Sequence, residues 1–97
     1  MTLAELLEEL PNLDDELTIY TSADADWSCN SPVVAIYEPS DGTLPPEATA
    51  MQYLLEVGIA KVVLKVWSQW RGGREPSPQE KCEAVIYYAK NDAYLPL

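Results

Sequence analysis

The chain has no histidine, and its first sixty residues hold neither lysine nor arginine. The first absence removes the commonest general base and the commonest zinc ligand at neutral pH. The second leaves twelve acids undiluted, whereas residues 61–97 hold four acids and six bases, so the two stretches carry −12 and +2. No serine or cysteine has an evident base partner, which argues against a nucleophilic enzyme. No glycine-rich loop precedes a helix to cradle phosphate; Gly72-Gly73 follows one and lacks the spacing. Asp24-Ala25-Asp26 has neither the glycine nor the distal glutamate of a calcium loop. The longest mostly apolar run, Val57 to Trp67, is broken by Lys61 and Lys65 and is too short to span a bilayer. The N-terminus has no basic region followed by an apolar run, so no signal peptide is expected. The expectation is a cytoplasmic protein that is not an enzyme and needs no cofactor or metal.

Cysteine is scarce too. Cys29 and Cys82 are far apart and in no metal-like spacing. Without a secretory signal they are expected as two free thiols in a reducing compartment, an extracellular disulfide being the alternative.

What is present suits one small globular domain. The 97 residues are 47% hydrophobic and 23% charged, enough for a single modest core. Thr2 and Glu5 have capping-box spacing, and Leu3, Leu6, Leu7 and Leu10 form one helical stripe that Pro11 ends. Leu17 to Thr21 alternates as a half-buried strand, and Ser22 to Pro32 reads as a loop. Val33 to Glu38 is an uninterrupted β-branched and aromatic run, which predicts a central strand covered on both faces. Pro39-Ser40-Asp41-Gly42 signals a turn. A third strand is expected from the alternation of Met51, Tyr53, Leu55 and Val57; a helix starting at Pro46-Glu47 competes with it. Ile59, Val62, Val63, Val66, Trp67 and Trp70 predict a helix that closes at Gly72. Ser77-Pro78-Gln79-Glu80 opens a last helix with the stripe Cys82, Val85, Ile86 and Ala89, ending at Asn91-Asp92, after which Tyr94, Leu95 and Leu97 fold back. The fold class is therefore α+β: a three-stranded antiparallel sheet with helices packed on one face, in the order α-β-β-β-α-α.

The candidate site follows from charge. Asp14, Asp15 and Glu16 precede the first strand, Asp24 and Asp26 flank Trp27, and Glu38 and Asp41 bracket the turn after Tyr37. If the strands are antiparallel neighbours, the turns at 14–16 and 38–41 fall at one end of the sheet. Acids speed encounter with a basic partner and aromatics anchor it, so these nine residues are the expected partner-binding surface. A −12 stretch repels nucleic acid and anionic membranes, and neither is expected as a partner. Solvation of the acids and a core position for Trp27 are the plainer alternatives. A basic strip of Lys61, Lys65, Arg71 and Arg74 is expected to pair with acids of the same chain. A second possibility of another class is docking or self-association through the helix bearing Trp67 and Trp70. A monomer or weak homodimer is expected.

The segment Glu83 to Tyr94, with its Tyr87-Tyr88 pair and Asn91-Asp92-Ala93, resembles the ending of a family of small acidic bacterial proteins of unknown function. The segment from Trp27 through Pro32-Val33-Val34-Ala35 is similar to the same family. In size and charge the chain also resembles the immunity proteins of contact-dependent growth inhibition. That resemblance implies a cytoplasmic inhibitor of one cognate toxin, often a basic nuclease. It carries over no functional residue.

Overall fold

The computed structural model describes residues 1–23, 26–38 and 46–97. Helix α1 spans Leu3–Glu8 and is started by both halves of a capping box: the Glu5 N–H donates to Thr2 Oγ1, and the Thr2 N–H donates to Glu5 Oε1. Pro11 ends it through a 3-10 turn, Leu10–Asn12. Leu3, Leu6, Leu7 and Leu10 are all buried; each contributes about 1.5–3 kcal/mol of apolar burial, which holds so short a helix in place.

Three antiparallel strands follow: β1 (Thr18–Ser22), β2 (Val33–Ile36) and β3 (Met51–Glu56), in the spatial order β2-β1-β3. The predicted central position of Val33–Glu38 is corrected. The middle strand is β1, in which Thr18, Ile19, Tyr20 and Thr21 are all buried, and β2 is an edge. The apolar run of β2 misled because an edge strand packed against a groove needs apolar residues as much as a central one does. Ile19 belongs to the main core, and Tyr20, one residue on, is buried on the opposite face. In β3 the register slips between Leu55, which faces Ile19, and Tyr53, which faces Tyr20. Leu54 is the extra residue, so the expected alternation fails and Leu54 and Leu55 are both buried. A 3-10 turn at Pro46–Ala48 precedes this strand where a helix start competed. The turn expected over residues 39–42 lies outside the described residues.

Helix α2 (Val57–Gln69) begins directly after β3, so Val57 is its first residue and not the end of a strand. Its inward face is Val57, Ala60, Val63 and Trp67, with Val62 and Trp70 about half exposed. The inward face is thus rotated from the expected stripe, because Val57 opens the helix and sets its phase. Helix α3 (Pro78–Asn91) has the expected Ser77–Glu80 capping box and Pro78 at its first position, and it closes on Asp92 in the left-handed conformation. Helices α1 and α2 both pack on α3, and the core they share with the sheet runs through Leu6, Ile19, Leu55, Val63 and Val85. Tyr94 and Leu95 pack back on this core, whereas Leu97 is exposed.

Cys29 and Cys82 are joined in a disulfide with their Cα atoms 5.5 Å apart, which corrects the expectation of two free thiols. Sequence distance concealed the pairing: the 26–32 segment lies against the first turns of α3. The same segment is tied to α1, since the Leu3 N–H donates to Ser31 O and the Ala4 N–H to Cys29 O. No helix among the described residues is long and apolar enough to cross a membrane.

Candidate functional site

The Thr18 end of β1 gathers five carboxylates. The chain enters β1 through an Asx turn, in which the Glu16 N–H donates to Asp14 Oδ1 at 2.9 Å. Antiparallel pairing sets Thr18 opposite Ile36 on one side and Glu56 on the other. Tyr37, Glu38 and Glu56 therefore arrive beside Asp14, Asp15 and Glu16. Asp15, Glu16, Thr18, Tyr37, Glu38 and Glu56 line an open depression of about 340 Å³.

Internal contacts hold this end in shape. The Tyr37 hydroxyl donates to Asp14 Oδ2 at 2.8 Å. Tyr20 reaches up from the sheet, and its hydroxyl donates to Glu38 Oε1 at 3.0 Å. The N–H groups of Val57 and Gly58, free donors of the first turn of α2, are taken by Leu17 O and Asp15 O. Gly58 permits that approach, because a Cβ there would lie 3.3 Å from both Asp15 Cβ and Asp15 O. The positive end of the α2 dipole beneath the carboxylates offsets part of their mutual repulsion.

The electrostatics follow from these partners. The Glu16 N–H and then the Tyr37 hydroxyl hold the Asp14 carboxyl below the usual aspartate range. The same hydrogen bond to Asp14 is the main cause that raises the Tyr37 hydroxyl. Burial first, and then the bond to Glu38, raises Tyr20. Lys61 is the cation at this end; it bridges Asp15 at 2.6 Å and donates to Leu13 O at 2.7 Å. Among the described residues, Asp14, Glu16, Glu38 and Glu56 have no ion-pair partner. Tyr37 stands among them 60% exposed, an aromatic in a ring of uncompensated charge.

The structure divides the expected site. Asp14, Asp15, Glu16, Tyr37 and Glu38 come together. Asp26 and Trp27 do not join them, because they follow Ser22 at the far end of β1, roughly 13 Å away at ordinary strand rise. There the Trp27 indole N–H donates to Ser22 O at 3.3 Å, the ring packs against the core, and Lys90 lies over it at 5.7 Å. Asp24 and Asp41 lie outside the described residues. Glu56 was missed: it reads as the polar position of an alternating strand, and only the pairing with Thr18 brings it to the site.

The basic strip behaves partly as expected. Lys61 pairs with Asp15 and Arg74 with Glu80. Arg71 and Arg74 also cover the Trp67 ring from 4.3 and 4.6 Å. Trp67 is therefore a core residue, closed to docking, while half-exposed Trp70 meets Tyr94 edge-on at 5.8 Å. Among the described residues no group of three or more His, Cys, Asp or Glu side chains is arranged to hold a metal ion.

Fold and site together define a small α+β domain that presents an anionic end around exposed Tyr37. The chain belongs to the family described as a domain of unknown function (DUF7716), whose profile matches residues 1–97. No curated protein and no solved structure matches it.

Proposed function

We propose that this domain is a binding protein that neutralises a basic partner, with the anionic end of the sheet as its contact surface. The specific form of the proposal is an immunity protein that occupies the positively charged active site of a nuclease toxin. Its carboxylates stand where substrate phosphates otherwise bind. The observation that carries it is the set of carboxylates Asp14, Glu16, Glu38 and Glu56 around exposed Tyr37, with no ion-pair partner for any of them among the described residues. A surface of one sign speeds encounter and rejects nucleic acid, and a central aromatic supplies the desolvated contact that charge alone does not. The backbone anchoring of this end means that little ordering entropy is lost on binding.

On this proposal the protein acts in the cytoplasm, where an incoming nuclease finds its substrate. The Cys29–Cys82 disulfide then forms against a reducing pool, and thiol alkylation of freshly lysed cells measures how much of it is present. The test of function is to mix the purified chain with a basic nuclease domain, first with any that is encoded beside it in its source genome. The chain should abolish nucleic acid cleavage at a stoichiometry of one to one. Undiminished cleavage at tenfold excess of the chain would remove the proposal.

A further inference from the structure

Among the described residues the edge of β2 is unpaired beyond Val33. The N-terminal residues run beside the start of this strand: Thr2 bridges Pro32 in antiparallel fashion, the Leu3 N–H donates to Ser31 O, and the Val33 N–H donates to Met1 O. Val33 therefore points its N–H away from β1. Peptide groups alternate along an antiparallel strand, so Val34 and Ile36 face β1, and Ala35 faces outward with both its N–H and its C=O. Among the described residues neither group of Ala35 has a backbone partner. Met1 lays down the first pair of a fourth strand beside Val33.

Two further features make this edge a receiving surface. An apolar groove of about 450 Å³ runs beside it, lined by Met1, Leu6, Leu13, Val33 and Ala35, with Glu9 at its margin. The strand carries none of the usual blunting devices: Val33–Ile36 has no charge, no proline and no bulge, whereas the other edge, β3, has the Leu54 bulge and ends in Glu56. Beyond Ile36 the same strand delivers Tyr37 and Glu38 into the anionic end. The unpaired backbone and the carboxylates are thus successive along one segment of chain.

We infer that β2 accepts an extended segment of the partner as an added strand. That segment has alternating apolar residues that enter the groove, and lysine or arginine where it reaches Asp14, Glu16 and Glu38. The inference rests on the proposed basic partner and adds the binding mode. Backbone pairing at Ala35 supplies register, the groove supplies apolar contact, and the carboxylates choose a basic sequence.

The test uses the full chain labelled with nitrogen-15 and a synthetic peptide of alternating valine and threonine with two lysines at each end. A second peptide is identical but N-methylated on the alternate amides that would face β2. On titration of the first, the Ala35 amide should shift, and its hydrogen exchange should slow at least tenfold. The Val34 and Ile36 amides, already bonded to β1, should keep their exchange rates. The N-methylated peptide should bind at least tenfold more weakly. Ala35→Pro, which removes the outward N–H at an edge position that tolerates proline, should weaken the first peptide by the same factor while keeping a dispersed spectrum. Equal binding of the two peptides, with shifts confined to residues 14–16, 37 and 38, would overturn strand addition and leave the anionic contact standing. A protein that sediments as a dimer with Ala35 already protected would assign the edge to a second copy and overturn the inference. Binding of neither peptide at millimolar concentration would also overturn it, and the nuclease assay would judge the anionic contact separately.

Discussion

The two ends of β1 carry similar residue types and use them differently. At the Thr18 end, Asp15 pairs with Lys61, but Asp14 and Glu38 are held by neutral donors, namely the Glu16 N–H and the hydroxyls of Tyr37 and Tyr20, and so keep their charge uncompensated. At the Ser22 end, polar and aromatic groups are consumed internally. Trp27 donates to the strand and lies under Lys90, Ser31 and Cys29 hold the start of α1, and a disulfide fastens the segment to α3. Acids tethered by neutral groups remain available to a partner; an aromatic tethered by a cation and a covalent bond is structure. Composition alone makes the two ends look alike, and the type of tether separates them.

The largest effect should come from the fastened end. Replacing Cys29 by Ser and Cys82 by Ala frees a loop with a sequence separation of 53. Chemical denaturation should then register a loss of about 4 kcal/mol. If the division between ends holds, partner affinity should stay within twofold wherever the variant is folded.

Next in size is Ser77→Ala, which removes the cap of the helix that receives the disulfide. It should cost about 1 kcal/mol in the same denaturation experiment. Acid should act near this cap as well. The guanidinium of Arg74, helped by the Ser77 N–H, holds Glu80 at about 2, against an ordinary value of 4.5. A carboxyl lowered by folding contributes stability that is fully present above its unfolded value and is lost as pH falls through the folded one. This contribution should therefore disappear between about pH 4.5 and 2, and Glu80→Gln should flatten that part of the stability profile.

The smallest effect belongs to the anionic end. Tyr37→Phe removes the hydroxyl that donates to Asp14. The Asp14 carboxyl should move up toward the ordinary aspartate range in a carbon-13 titration, with no measurable change in thermal midpoint. A large drop in that midpoint would mean that Tyr37 is a structural residue and would blur the contrast between the ends.

Local signals in the sequence located most elements. Both capping boxes, the Pro11 and Pro78 punctuation and the leucine stripe of α1 depend on neighbours within four residues, and all are where their spacing requires. Features set by pairing across the chain were hidden. Strand order is one: the run Val33–Ile36 is equally apolar at a centre or at an edge. The bulge at Leu54, the phase of α2 set by Val57 and the Cys29–Cys82 bond are others. The site divides along the same line. The union of residues 14–16 with 37 and 38 follows from antiparallel topology and was foreseeable. The separation of Trp27 from Tyr37 follows from β1 running between them, and strand direction decides it where charge cannot.

The most direct test is the salt-dependent affinity of the chain for the basic partner proposed above, measured for two charge reversals. Asp14→Lys with Glu16→Lys and Glu38→Lys alters one end; Asp26→Lys with Glu83→Lys alters the other, Glu83 lining the depression beside Trp27 and Cys29. The account predicts that at low ionic strength the first set weakens binding at least a hundredfold and flattens the salt dependence, while the second changes affinity less than threefold. Equal losses from both sets, or a larger loss from the second, would contradict it.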